Sequence, residues 1–310
     1  MIRDDAGQLP PGAYAILSTP FDEAERLDLE GLSSLARFYE ASGAHGLVAL
    51  AVMGEGAKLT ENEREEAIRT VRAASRCRLV VGVSAPGTAI VRRRIERAVA
   101  LGAQGVLLAP SAGMSPEDIL HLYAGAAEEG LPIVLQDHPA STGVVMSVAL
   151  IASVVEEVEN VVAVKNEAPP TAVRTRQILA ATRSEIRVFG GLGGLSLLDE
   201  LDAGAQGTMT GFAFPEVLVE VVHAYRRGDR ERARTIYEAF LPWLVFESTA
   251  VQSLGIRKEF LHLRGVIRKA GLRSPAPDTD PALRRRASEL HAAYAARASE
   301  FGLERGSVVG

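Results

Sequence analysis

A regular alternation of short apolar runs and longer amphipathic stretches most constrains the fold of this chain. The runs are rich in Val, Ile, Leu and Ala and are apolar on both faces, which is typical of parallel strands covered by helices. About eight such runs occur, at 13–18, 46–52, 79–83, 105–109, 133–136, 161–164, 186–189 and 207–210. Eight strand–helix units joined by short loops predict an α/β protein with a closed (β/α)8 TIM barrel, and an open doubly wound sheet is the alternative.

The strand pattern stops near residue 228, and the remaining chain is predicted to be helical. We therefore expect a barrel over residues 1–228 and a C-terminal helical region over residues 229–310. The helical stretches of that region are 231–244, 248–270 and 281–298. They are expected to pack on the barrel or at a subunit contact.

Composition narrows the class of partner. The net charge is −5, and the short arginine runs at 92–94 and 284–286 fall in helical patterns that indicate solvated faces. No apolar run approaches the roughly 18 residues of a membrane span. The single cysteine, Cys77, suits a reducing compartment. These features predict a soluble cytoplasmic protein that binds a small molecule and neither nucleic acid nor membrane.

The glycine cluster at 190–194 does not have the spacing of a phosphate-binding loop. It matches neither the dinucleotide fingerprint G-x-G-x-x-G nor the P-loop G-x-x-x-x-G-K-[ST]. The sequence therefore predicts no cofactor.

Lys165 is the most unusual residue at a predicted strand end. The active site of a (β/α)8 barrel lies at the C-terminal ends of its strands, and Lys165 directly follows the apolar run 161–164. Burial there would favour the neutral amine, which can attack a carbonyl and form a Schiff base. The alternative is a lysine that reaches out of the strand end to pair with Glu167 or Glu55.

Five segments, taken in their order along the chain, carry more information than Lys165 alone. They read LSTPFDE, MGEGAKLTENER, PIVLQDHPASTG, VVAVKNEA and LDAGAQGTMTG. Over about residues 10–300 they resemble the dihydrodipicolinate synthase / N-acetylneuraminate lyase family of class I aldolases and lyases. The resemblance implies that Lys165 is the Schiff-base residue and that the protein is a homo-oligomer, a tetramer built from tight dimers or a dimer.

Several positions depart from the family pattern. Gln136 stands where the family has a tyrosine that relays protons, and glutamine cannot act as an acid or a base. Val52 and Met53 replace two threonines of the relay and of the carboxylate-binding site. Ser111 or Ala112 replaces a second tyrosine. Ser141 aligns with the arginine that binds the second substrate in the synthases. Dihydrodipicolinate synthesis is therefore not expected.

Asp137 and His138 are the nearest candidates to replace the missing proton relay. Histidine titrates in the range suited to acid–base catalysis, and Asp137 can orient it or move protons through water. Because successive strand residues alternate faces, Gln136 and His138 share one face and Asp137 takes the other. Each residue also has a purely structural alternative: Asp137 would cap the loop that follows the strand, and His138 would simply pack at the strand end.

The predicted site combines these residues with others at strand ends. The predicted catalytic residues are Lys165, His138 and Asp137; the predicted substrate-binding residues are Val52, Met53, Gly54, Glu55, Gln136, Gly191, Met209 and Thr210. Backbone N–H groups of Met53 and Gly54 are candidates to bind an anion. A metal site formed by Glu55, Asp137 and His138 is a minor alternative.

These residues predict a Schiff-base-forming lyase or aldolase. It would act on a small 2-oxo acid such as pyruvate, or on a sugar-acid derivative, by aldol cleavage, addition or dehydration. Two alternatives remain open. One is a catalytically silent barrel that binds a small molecule or has a structural role, and the other is an isomerase or hydratase that forms no imine.

Overall fold

Eight parallel strands close into a single barrel, in which each strand pairs with the next and the first pairs with the last. The computed structural model describes residues 9–183, 185–249 and 251–303. This closed sheet confirms the predicted (β/α)8 class over the open alternative. The strands are β1 Gly12–Ile16, β2 Gly46–Ala49, β3 Arg78–Gly82, β4 Gly105–Leu108, β5 Ile133–Asp137, β6 Val161–Asn166, β7 Arg187–Gly190 and β8 Gly207–Thr210.

Helices surround the barrel and form its C-terminal extension. They are α1 Leu29–Ala41, α2 Glu61–Ala74, α3 Thr88–Ala100, α4 Pro116–Ala127, α5 Pro139–Thr142, α6 Val148–Glu157, α7 Thr171–Ala181, α8 Leu197–Asp202, α9 Pro215–Arg226, α10 Arg230–Glu247, α11 Ser253–Leu263 and α12 Pro281–Ser299. Local sequence fixes several helix starts. At α2, for example, Glu63 N–H donates to the Thr60 hydroxyl at 3.3 Å, and Thr60 N–H donates to the Glu63 carboxylate at 2.9 Å. This reciprocal capping box satisfies two amides that the first helical turn leaves unpaired.

None of the helices in the described ranges combines the length and apolarity needed to cross a membrane.

Strand alternation separates two cores. One face of each strand packs against the helices, and the other fills the barrel interior. The interior side chains from the strands are Tyr14, Ile16, Val48, Val80, Leu107, Val134, Ala163, Phe189 and Met209. Two residues beyond Val134 and Ala163, the same face carries Gln136 and Lys165, which are register partners on β5 and β6. The alternation thus carries both side chains to the top of the barrel interior.

The C-terminal region is helical, as predicted, but its middle helix is shorter than the predicted stretch 248–270. Helix α11 ends at Leu263, and Gly265 follows with a φ of 71°, a left-handed conformation that ends helices. The last helix packs on the barrel through Tyr294, whose ring lies 4.2 Å from that of Phe214. The proposed division near residue 228 stays a prediction.

A buried ion pair joins the loop after β2 to α11. The Lys258 ammonium lies 2.6 Å from the Glu55 carboxylate, and both side chains are almost fully buried. Lys258 also donates to the Gly271 carbonyl at 2.9 Å and lies 4.6 Å from the centre of the Phe21 ring. Burial lowers the pKa of Lys258 to about 8, although Glu55 acts in the opposite direction. The pair therefore ties the loop at the barrel mouth to the C-terminal helices.

Removing one partner of this pair is expected to destabilise the fold strongly. Glu55→Ala would leave the Lys258 ammonium buried without a carboxylate, at a cost of about 3–5 kcal/mol in the free energy of unfolding. The double replacement Glu55→Leu with Lys258→Met should recover part of that loss, since it removes both buried charges but leaves Lys58 and the Arg273 N–H without the carboxylate. Urea denaturation measures both. A matched control is Glu30→Ala, which breaks the exposed pair with Arg268 and should cost less than about 1 kcal/mol. Equal losses in Glu55→Ala and Glu30→Ala would contradict this account of the pair.

Candidate active site

Lys165 is the last residue of β6 whose side chain points into the barrel, and it forms an ion pair with Glu167. Its side chain is 3% exposed, and its Nζ lies 2.9 Å from Oε2 of Glu167. Glu167 follows two positions later, so the two side chains leave the strand end toward the same side. A buried amine and a carboxylate are thus in direct contact at the top of the barrel, where this fold places its chemistry.

Three donors fix the Glu167 carboxylate. Oε2 accepts hydrogen bonds from Lys165 and, at 2.7 Å, from the Gln136 side-chain amide, while Oε1 accepts from Leu192 N–H at 3.2 Å. Burial alone would raise the pKa of Glu167. The Lys165 charge, together with the smaller effects of His138 and the Gln136 hydrogen bond, leaves that pKa below its ordinary value. Glu167 is therefore ionised at neutral pH and oriented toward the amine.

Gly191 makes room for this carboxylate. A Cβ atom at position 191 would lie 2.4 Å from Cγ of Glu167, closer than real carbon contacts allow. Further along the glycine cluster, Gly193 N–H donates a hydrogen bond to the Thr210 hydroxyl at 3.0 Å and so joins the cluster to β8. The glycine cluster therefore lets backbone approach the Glu167 side chain closely.

The two residues predicted to move protons lie in different surroundings. Asp137 is fully buried and receives a 2.7 Å hydrogen bond from Arg174 of α7, so it faces the helical layer, as the alternation predicts. Burial raises its pKa against the opposing effect of Arg174. His138 is half-buried, and its Nδ1 lies 2.6 Å from the Ser141 hydroxyl. Burial lowers the pKa of His138, while the charges of Glu167 and Lys165 act on it in opposite directions. The charge of Glu167 acts on both residues, and the charge of Lys165 acts on His138 as well; both catalytic roles stay predictions.

The predicted substrate-binding residues divide between the barrel mouth and its interior. Val52 is 48% exposed, whereas Met53 packs against the barrel interior and Met209 is fully buried within it. Gly54 N–H already donates to the Ala51 carbonyl at 2.9 Å, so this amide is not free to bind an anion as suggested. The Glu55 carboxylate points to Lys258. Substrate contacts by these residues remain predictions.

The metal alternative finds no support in the described part of the chain. Glu55 is paired with Lys258 and Asp137 with Arg174, and no three His, Cys, Asp or Glu side chains in residues 9–183, 185–249 and 251–303 come together as metal ligands.

Glu167 is the site residue that the sequence interpretation did not assign. It was considered only as an ion-pair partner for an outward-reaching Lys165. The signal was its position two residues after that lysine, which puts both on one face of an extended strand. The structure combines one part of each interpretation: Lys165 is buried at the barrel mouth rather than reaching out of it, and it is paired with Glu167.

Comparison with known proteins agrees with this architecture. The model of the Dihydrodipicolinate synthetase family matches residues 10–293. The L-2-keto-3-deoxyarabonate dehydratase of Azospirillum brasilense is 30% identical over 279 residues, which is 87% of this chain and 90% of that protein. The 4-hydroxy-tetrahydrodipicolinate synthase of Methanosarcina mazei is 31% identical over 237 residues, 74% of this chain and 80% of that protein.

Solved structures give the same result. The dihydrodipicolinate synthase of Rhodopseudomonas palustris superposes with a TM-score of 0.86 at 31% identity, covering 92% of this chain and 99% of that chain. YagE, a prophage protein of E. coli K12 solved in complex with pyruvate, has a TM-score of 0.84 at 21% identity and covers 94% and 99% of the two chains. The second likeness shows the fold alone. The family match spans nearly the whole chain, and the protein therefore belongs to the dihydrodipicolinate synthetase family, as a diverged lyase of that family.

Proposed function

We propose that this protein is a Schiff-base lyase that removes water from a small hydroxylated 2-oxo acid. The observation that carries the proposal is the 2.9 Å contact between the buried Lys165 amine and the Glu167 carboxylate. It places a nucleophilic nitrogen next to a base. The Azospirillum relative, an L-2-keto-3-deoxyarabonate dehydratase, supports the same class of substrate.

In the first step, Lys165 forms an iminium with the C2 carbonyl of the substrate. Glu167 accepts a proton from the Lys165 ammonium, and the freed amine attacks C2. The carbonyl oxygen then receives two protons by way of Glu167 and leaves as water. The ammonium and the ketone thereby become an iminium and one molecule of water. The dense packing around the pair keeps bulk water from competing.

In the second step, the iminium withdraws electrons and acidifies the C3–H bond. Glu167 takes a C3 proton, which gives an enamine and a neutral carboxylic acid. The enamine electrons expel the C4 hydroxyl, and the proton on Glu167 leaves with it as water. Hydrolysis of the unsaturated iminium releases the product and restores Lys165. One carboxyl group can thus act as both base and acid.

Dehydration fits this site better than aldol cleavage. Cleavage requires a base that removes the C4 hydroxyl proton, and the family tyrosine that the resemblance assigns to this step is Gln136 here. Glutamine has no proton to exchange in the useful range. Dehydration needs no such base, because Glu167 is protonated once it has taken the C3 proton and can then donate that proton to the departing C4 hydroxyl.

Borohydride trapping tests the proposal. The protein is incubated with pyruvate or with other short 2-oxo acids and reduced, and its peptides are mapped by mass spectrometry. We expect a reduced adduct on the peptide that contains Lys165, and none when borohydride is added without the oxo acid. The products of a 2-keto-3-deoxy acid are then identified: dehydration keeps the carbon chain whole, whereas cleavage gives two fragments. If no 2-oxo acid yields an adduct, the silent barrel or an imine-independent enzyme becomes the better account.

We propose a cytoplasmic homo-oligomer whose substrate is a small 2-oxo acid and whose reaction uses no added cofactor.

A further inference from the structure

A second buried carboxyl group lies behind the strand that follows Lys165. Glu200 of α8 is fully buried, and among the described residues its carboxyl group forms no ion pair; the Thr171 hydroxyl is the one polar donor that acts on it. A buried acid without a compensating cation is unfavourable when it is charged. The mechanism proposed above gives Glu200 no role, so its position needs a separate explanation.

Two consecutive glycines lie between this acid and the site. A Cβ atom at Gly190 would lie 1.7 Å from Oε2 of Glu200, and a Cβ atom at Gly191 would lie 2.4 Å from Cγ of Glu167. Successive residues of an extended chain face opposite sides. The Glu200 carboxyl group therefore contacts the end of β7 from one side, and the Glu167 carboxyl group contacts the next residue from the other. Any change in the charge of Glu200 therefore occurs close to Glu167.

The groups around Glu200 favour its uncharged form. Burial raises the pKa of Glu200 to about 7; the Thr171 hydroxyl acts in the opposite direction, and the negative charges of Glu167 and Asp199 add to the rise. On α10, Tyr237 also faces it, and the pKa of Tyr237 is raised mainly by burial and further by Glu200. Glu200 thus changes charge close to neutral pH.

We propose that Glu200 is a positioning residue that acts on the Lys165–Glu167 pair through the Gly190–Gly191 backbone. The inference rests on the proposed Schiff-base function. While Glu200 is uncharged, it packs against β7 and leaves the pair undisturbed. Once it is ionised, its charge adds to that of Glu167 and holds the proton shared with Lys165 more tightly. The ionised Glu200 therefore opposes formation of the attacking amine, and the uncharged Glu200 does not.

Glu200→Gln tests this, because it keeps the shape and removes the titration. The rate of borohydride-trapped adduct formation with pyruvate is measured from pH 5 to pH 9. The wild type and Glu200→Gln should match below pH 6, and the variant should be about fivefold faster above pH 8, because it lacks the like-charge interaction with Glu167. Glu117→Gln removes a carboxylate from an exposed position of α4 that does not act on Glu200 and should leave the profile unchanged.

Thermal unfolding provides a readout that needs no imine. The folded state holds the proton of Glu200 up to about pH 7, whereas the unfolded chain releases it near pH 4.5. Stability contributed by the protonated acid is therefore present below pH 4.5 and is lost as pH rises to 7. The Tm of Glu200→Gln should rise relative to wild type by a few degrees between pH 5 and pH 8.

The outcomes separate the two proposals. An adduct whose pH profile is the same in wild type and Glu200→Gln would overturn the role of Glu200 and leave the Schiff-base function intact. An adduct in neither protein at any pH would remove the proposed function and this inference with it. A Tm difference that does not change with pH would show that Glu200 does not titrate near neutrality, and would also overturn the inference.

Discussion

Lys165→Ala is expected to abolish both turnover and adduct formation. The variant lacks the only atom that can form the iminium in the proposed reaction, so neither the C3 proton nor the C4 hydroxyl becomes labile. Turnover of a 2-keto-3-deoxy acid should fall to the rate without enzyme, and mass spectrometry after borohydride should show no adduct with pyruvate.

The matched control for this change is Lys258→Ala, since the chain offers a second buried lysine outside the predicted site. Lys258 is paired with Glu55 rather than Glu167. Its loss should lower stability but leave an adduct on Lys165 in the molecules that remain folded. Full turnover in Lys165→Ala would reject an imine mechanism.

Glu167→Gln should separate imine formation from the later proton transfers. The amide keeps the size of the side chain but cannot accept the C3 proton or deliver it to the departing hydroxyl. Turnover should fall by about 10²–10⁴-fold, the range typical of a lost general acid–base group. Trapping with pyruvate should persist at a reduced rate, because the Lys165 amine remains. Steady-state kinetics and trapping on the same samples measure the two effects.

His138→Ala is the comparison that decides which residue moves the proton. If Glu167 is the acid and base, the His138 variant should lose less than about tenfold, since it disturbs only a neighbouring charge. A loss in His138→Ala that exceeds the loss in Glu167→Gln would transfer the role to the histidine, as the sequence interpretation first suggested.

The fold and the position of the central lysine could be predicted from sequence because both depend on short-range patterns. Apolar runs with helical stretches between them specify strand–helix units, and a lysine directly after such a run must start at the barrel mouth. The same alternation correctly turned Asp137 away from Gln136, and the structure shows it bound to Arg174 on the helical side.

What could not be predicted depends on contacts between distant segments. Glu200 lies in the segment LLDELD, which resembles the charged face of an ordinary surface helix, yet it is fully buried because α8 packs that position against β7. Lys258 was missed for the same reason, since its partner is 203 residues away in the chain. Glu167 is different: its spacing from Lys165 was visible, but a carboxylate next to a lysine is more often an ion pair than a catalytic pair.

The contact between Gly191 and Glu167 also restricts how this site can change over time. A side chain at position 191 would overlap the Glu167 side chain, so any larger residue there requires the glutamate to leave its present position. If Glu167 first became smaller, position 191 would open, and larger residues there would then prevent the glutamate from returning. The order of substitutions therefore matters. A lineage that has filled position 191 can regain the present Lys165–Glu167 arrangement once glycine is restored at that position.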